Sequence, residues 1–133
     1  KKMSKTGDES IALIDSAAVI RQKIKKAVTD SGKEIKYDLK KKPAISNLLT
    51  IYHLFSNKSI ADLEKKYKGK GYGEFKKDLA EVIIKGLKPF QERRKKYEKN
   101  PQLVKKILAK GQAKAQKIAQ ATIKEVKQKM GLI

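Results

Sequence analysis

The sequence contains no cysteine and no tryptophan, only three prolines, and 14 acidic residues against 34 basic ones. Without cysteine there can be no disulfide framework, no thiolate zinc site and no thiol nucleophile. No apolar run approaches the roughly eighteen residues needed to cross a bilayer. The first apolar stretch, Ile11–Ile14, is too short for a signal-peptide core. A chain of 133 residues suits one domain and is too short for a nucleotide-binding α/β catalytic domain plus anything else.

Positive charge is what the chain has in excess. Its formal net charge is +20, and only three of the basic residues are arginine: Arg21, Arg93 and Arg94. Such a balance points to polyanionic partners, phosphate backbones ahead of anionic lipid. The plainer alternative is that lysine merely keeps the protein soluble.

Helical periodicity dominates. Asp15 or Ser16 can cap a helix with an apolar stripe at Ile20, Ile24, Ala27 and Val28, ending near Asp30-Ser31-Gly32. Residues 31–43 lack a period and read as a loop. Pro43 opens a second helix whose stripe is Ile45, Leu48, Leu49, Tyr52 and Phe55. Ser59 with Asp62 forms a capping-box-like start for a short third helix. The run Lys68-Gly69-Lys70-Gly71-Tyr72-Gly73 reads as a loop, since closely spaced glycines cost backbone entropy. A long helix from about Glu74 to Tyr97 carries Phe75, Leu79, Val82, Ile83, Leu87 and Phe90, with a bend expected at Pro89. Asn100-Pro101 opens the last helix, striped by Leu103, Val104, Ile107, Leu108, Ala115, Ile118, Thr122 and Val126. No strand pattern occurs. The fold expected is all-α: a bundle of five or six helices over residues 15–133, preceded by a flexible basic loop and connection over residues 1–14.

Chemistry is sparse. At the start, Lys2 and Lys5 stand three apart with hydroxyls at Ser4 and Thr6, a pattern able to grip polyphosphate through mobile charges and short donors. By itself such a terminus reads rather as a solvated, frayed end. His53, the only histidine, has no partner at ligand spacing. Asp8-Glu9 lacks further acids for a metal site, and no metal ligands are expected. Tyr52, Phe55, Phe75 and Phe90 lie on core stripes and read as packing.

The stretch Lys2-Met3-Ser4-Lys5-Thr6 resembles the Lys-Met-Ser-Lys-Ser signature of class I aminoacyl-tRNA synthetases, with Thr6 in place of the last serine. Further blocks are similar to the C-terminal part of the bacterial tryptophanyl-tRNA synthetases. They are Ala27-Val28-Thr29-Asp30-Ser31, Ile45-Ser46-Asn47-Leu48-Leu49, Tyr67-Lys68-Gly69-Lys70-Gly71-Tyr72-Gly73, Phe75-Lys76-Lys77-Asp78-Leu79-Ala80, Leu87-Lys88-Pro89-Phe90-Gln91-Glu92-Arg93 and Met130-Gly131-Leu132. In order and spacing they cover nearly the whole chain.

The resemblance implies an enzyme that activates tryptophan with ATP and Mg²⁺ to tryptophanyl-adenylate and passes the tryptophanyl group to tRNA(Trp). It implies that Lys2 and Lys5 are catalytic, stabilising charge that builds on the leaving pyrophosphate. Lys2, Met3, Ser4, Lys5 and Thr6 would line the ATP and pyrophosphate site. It also implies an anticodon-side helical bundle, a cytoplasmic location, a homodimer when intact, and no membrane partner. The chain is then expected to be a C-terminal fragment that does not catalyse alone, since nothing in it would hold adenosine, tryptophan or the Mg²⁺. For tRNA contact, Arg93 and Arg94 are candidates because a guanidinium can fork onto phosphate or stack on an unpaired base. Their alternative is intramolecular pairing with Glu92 or Glu98. Lys68 and Lys70 could meet the RNA backbone. A different class of function is also open: a free-standing basic helical module that binds tRNA or other nucleic acid without catalysis.

Overall fold

The computed structural model describes residues 10–133, so the candidate residues Lys2, Met3, Ser4, Lys5 and Thr6 lie outside the described part. Five helices follow in order: α1 (Ala17–Lys26), α2 (Pro43–Ser56), α3 (Ile60–Lys66), α4 (Tyr72–Glu98) and α5 (Pro101–Lys129). No strand occurs among the described residues, so the all-α expectation holds. The chain divides into two compact units, Lys1–Gln91 and Glu92–Ile133, with the boundary inside α4.

Helix starts obey the capping signals. The Ser16 hydroxyl accepts the Val19 amide at 3.3 Å to cap α1. Pro43 occupies the first turn of α2, where a missing donor is harmless. Ser59 accepts the Asp62 amide and donates its own proton to the Asp62 carboxylate at 2.6 Å, closing the start of α3. Asn100 caps α5 by accepting the Leu103 amide at 3.0 Å. In the last turn of α2, His53 Nδ1 lies 2.7 Å from the carbonyl of Lys58, just past the helix end. A carbonyl only accepts, so the proton sits on Nδ1 and the ring ties down the turn.

Four boundaries or stripes differ from the sequence expectation. Helix α1 stops at Lys26, and Val28 is 80% exposed. The cause is a competing donor: Lys76 Nζ takes the Ala27 carbonyl at 2.6 Å and holds the chain extended. Helix α4 begins at Tyr72, so Gly73 lies inside it, and it runs through Pro89 without interruption. The buried positions of α4 end at Leu87, which leaves Phe90 56% exposed. Finally, no residue of the 29-residue α5 is buried. A helix of that length spans about 43 Å, and the rest of its unit is only the last turns of α4 and a short tail.

The core of the first unit is a single cluster. It joins Ile20 and Ile24 of α1, Ile45, Leu49 and Tyr52 of α2, Leu63 of α3, and Phe75, Leu79, Ile83 and Leu87 of α4. Each such aliphatic or aromatic side chain contributes about 1.5–3 kcal/mol when removed from water. At its centre three aromatic rings meet. Tyr67 packs edge-on against Phe75 with centroids 5.1 Å apart and against Tyr52 at 6.0 Å, while Tyr52 stacks on Phe75 at 5.8 Å. Tyr67 is fully buried, and its hydroxyl donates to Asp78 Oδ2 at 2.6 Å. Lys66 Nζ completes the group, 2.8 Å from the same carboxylate oxygen and 4.6 Å from the Tyr67 ring centroid. Burial pushes the Tyr67 phenol up, and the Lys66 ammonium followed by the Tyr67 hydroxyl holds the Asp78 carboxyl below its usual range.

Two outcomes follow from this core. Tyr67→Phe keeps the ring and removes the donor to a charged acceptor; it should cost about 1–2 kcal/mol, read as a lower midpoint in urea with an unchanged m-value. Asp15 and Asp30 are also held low, Asp15 first by Lys23 and Asp30 first by the Tyr72 hydroxyl. Carboxyls depressed by folding contribute stability that is complete above their unfolded value near pH 4 and lost as pH falls through the folded one. The melting temperature followed by circular dichroism should therefore be level from about pH 7 to about pH 5 and drop below about pH 4.

Candidate nucleic-acid interface

The segment between α1 and α2 carries no regular structure, yet side chains fix it at almost every step. The Glu34 carbonyl accepts from Lys42 Nζ at 3.1 Å and lies 3.1 Å from the Tyr72 hydroxyl oxygen, whose single proton goes to Asp30. Ile35 is only 4% exposed and belongs to the core. The Tyr37 amide donates to Glu64 Oε1 of α3 at 2.6 Å, and the Asp38 amide donates to the buried Ser46 hydroxyl at 2.8 Å. Asp38 then accepts the amides of Lys40 and Lys41, turning the chain into α2. Upstream, Asp30 takes the Tyr72 hydroxyl at 2.7 Å and Lys42 at 3.3 Å.

Held in this way, residues 34–36 run beside α3 and enclose a hollow of about 370 Å³ with Ala61, Glu64, Lys65, Lys68 and Gly69. Gly69 has φ +78°, a left-handed conformation that favours glycine, and it lets the chain leave α3 along the rim. Its exposed apolar surface comes from Ala61, while Ile35 is buried in the core beneath. The ammonium groups of Lys36, Lys65 and Lys68 make no hydrogen bond or ion pair among the described residues, in contrast to Lys23, Lys42, Lys66 and Lys70, each paired with a carboxylate.

This geometry sorts the residues singled out from the sequence. Lys68 is exposed and unpaired on the rim of the hollow. Lys70, two residues away, is turned to Glu74 in an i,i+4 pair and lies 5.8 Å from the Tyr67 ring centroid. Arg94 donates to Glu98 at 2.6 Å, so the intramolecular pairing is realised for it, while Arg93 is exposed without a hydrogen-bond partner among the described residues. Surface pairs of this kind hold weakly and yield readily to a phosphate. Lys68 and Lys70 belong to the first unit, and Arg93 and Arg94 to the second. Sequence reasoning passes over Lys36, Glu64 and Lys65, whose grouping depends on a fold-back with no periodicity to announce it. The one legible signal is Ile35, an isolated apolar residue in the polar run from Ser31 to Lys36. Among the described residues no group of three or more His, Asp or Glu side chains is placed to hold a metal ion, and no helix is long and apolar enough to cross a membrane.

Comparison with known proteins covers both halves of the chain. The tryptophan–tRNA ligase of Listeria monocytogenes serovar 1/2a is 47% identical over 99% of this chain, and that of Bacillus subtilis is 45% identical over the same share. Among solved structures, the tryptophanyl-tRNA synthetase of Mycoplasma pneumoniae superposes with a TM-score of 0.62 at 28% identity, over 70% of this chain and 30% of its own. The chain spans about 40% of the length of the curated relatives it matches. A sequence profile for class I tRNA synthetases of the W and Y type matches residues 1–88, two-thirds of the chain, and the chain belongs to that family.

Proposed function

We propose that this chain serves a tryptophan–tRNA ligase, an enzyme that joins tryptophan to ATP as tryptophanyl-adenylate, releases pyrophosphate and transfers the tryptophanyl group to tRNA(Trp). The observation that carries this reading is the extent of the likeness. Identity to named tryptophan–tRNA ligases runs over 99% of the chain, including the lysine-rich last helix that the family profile does not reach.

Within that reaction, residues 2–6 supply the activation loop. Negative charge develops on the departing pyrophosphate, and ammonium groups positioned there stabilise the transition state more than the bound substrates. Lys2 and Lys5 take this role, with Ser4 and Thr6 as hydroxyl donors. Mg²⁺ would share the phosphate charge in the complete enzyme, and the described residues are given no part in holding it. The helical units supply tRNA contact, which supports a cytoplasmic enzyme acting on a large polyanion. Arg93, Arg94, Lys68 and Lys70 are candidates for this contact, and the free ammonium of Lys68 makes it the best placed of the two lysines.

The direct test is ATP–pyrophosphate exchange by the product of the whole reading frame that contains this chain, with tryptophan and tyrosine supplied separately. Exchange dependent on tryptophan is expected; exchange dependent on tyrosine alone would overturn the substrate, and none with either would overturn the reaction. In that product Lys5→Ala should lower kcat for exchange about 100-fold and leave the KM for tryptophan within about twofold, the pattern of a group that acts mainly in the transition state. The tRNA contact is tested separately: affinity of the 133-residue chain for tRNA should fall at least about tenfold between about 50 and about 200 mM salt, measured by fluorescence anisotropy. A flat salt response would contradict an electrostatic contact.

A further inference from the structure

Residues 10–15 lie between the lysine pair at positions 2 and 5 and the start of α1, and burial does little to hold them. They carry no helix or strand, and Leu13 and Ile14 are 61% and 58% exposed. Ile11 packs partly against the core. What fixes the path is a set of side-chain donors aimed at its backbone carbonyls. Lys23 of α1 gives one proton to the Ser10 carbonyl and another to Asp15 Oδ2, both at 2.8 Å. Gln91 of α4 reaches back across the unit, its Nε2 lying 3.0 Å from the Leu13 carbonyl and 3.0 Å from the Asp15 carbonyl. Both neighbours only accept, so the amide nitrogen faces them and both of its protons are committed. Asp15 closes the turn by accepting the Ala12 amide at 2.9 Å. Three carbonyls of one irregular stretch are thus gripped by two side chains from different helices, all within the first unit.

We propose that Lys23 and Gln91 are positioning residues for adenylate formation: by gripping the Ser10, Leu13 and Asp15 carbonyls, they fix the point from which the Lys2–Thr6 stretch departs. The proposal rests on the reading that Lys2 and Lys5 meet the leaving pyrophosphate. Neither Lys23 nor Gln91 touches substrate in this account; each acts through the backbone. Ser10 follows Lys5 by five residues, so chain length alone confines Lys5 to within about 17 Å of that anchor. Without Lys23 the next side-chain grip is at Leu13, eight residues from Lys5, and the bound widens to about 27 Å. A group that acts in the transition state depends on being held near its productive place. The clamp adds little to the core, since most of what it holds is exposed; what it determines is where the chain leaves the unit. The residue types suit the task, because an ammonium and a primary amide each carry several protons on one nitrogen and can hold two acceptors at once.

The test is ATP–pyrophosphate exchange by the product of the whole reading frame, with Lys23→Met and Gln91→Leu removing the donors at little change in size. Each should lower kcat about tenfold and leave the KM for tryptophan within about twofold. Lys23→Arg keeps a charged donor with several protons and should recover about half or more of the rate lost in Lys23→Met. A double-mutant cycle identifies the route. In a Lys5→Ala background, Gln91→Leu should lower kcat by less than about threefold, because one of the two ammonium groups it positions is gone. Fully multiplicative losses in the cycle, a KM that rises as far as kcat falls, or an unchanged kcat in both Lys23→Met and Gln91→Leu would overturn the clamp while Lys2 and Lys5 kept their role. Unchanged exchange in Lys5→Ala alone would overturn the activation-loop reading and the clamp with it. Should Lys23→Met unfold because the Asp15 carboxylate loses its cation, Gln91→Leu decides alone, since it leaves no charge unpaired.

Discussion

The first unit depends on a phenol that has to be buried and yet keep a partner. Tyr67 closes the short helix α3, fills the centre of the core between Tyr52 and Phe75, and carries its hydroxyl to Asp78 one turn along α4. A seven-residue helix cannot persist through its own backbone bonds, so α3 exists because its end is anchored in this way. The same contact fixes the rotation of α4, since Phe75 and Asp78 lie three residues apart on one face, one packing against the Tyr67 ring and the other receiving its proton. Lys66 then neutralises the carboxylate from outside. An ion pair at that depth adds modestly to stability; its larger effect is to keep Asp78 ionised as an acceptor.

A second tyrosine repeats the device five residues on. Tyr72 starts α4 and gives its hydroxyl to Asp30, while Lys42 bridges the same groups and the Glu34 carbonyl. This second cluster shapes the segment that walls the hollow. Charge is thus used in two ways within one basic unit. Some lysines are spent internally on carboxylates and carbonyls, while Lys36, Lys65 and Lys68 remain free where a concave surface exists.

Much of the helical framework was legible from local chemistry. Ser16, Pro43, Ser59 and Asn100 mark helix starts because a cap or an N1 proline acts through its own neighbours, and the stripe Ile45, Leu48, Leu49, Tyr52 gives the buried face of α2 directly, although Phe55, read as its last member, is 39% exposed. What was not legible came from interactions between residues far apart in sequence. The early end of α1 follows from Lys76 reaching the Ala27 carbonyl, and the order of residues 34–38 from Glu64, Ser46 and Tyr72; no period encodes either. The stripe on α5 shows the converse failure. Its periodicity is real, but a repeating apolar pattern states only that a helix has a face, not that the described residues cover it. For the candidate site, Lys68 was readable as a lysine in a glycine loop, whereas its separation from Lys70 needed the position of Glu74. For the Lys-Met-Ser-Lys-Thr stretch, which lies outside the described residues, spacing alone favours a plain terminus, and only the family resemblance suggests a role.

The paired tyrosines have one more consequence. Residues 68–71 form a bridge with both piers clamped, Tyr67 to Asp78 and Tyr72 to Asp30. An extra residue beside Gly71, where nothing lies within 4 Å of the backbone's open side, would only bow the bridge outward. Placed one step later, after Tyr72, it would turn α4 by about 100° and swing Phe75 and Leu79 out of the core. Tolerance of length variation therefore changes from free to forbidden across a single side chain, and the loop can be remodelled over evolution without the bundle registering the change.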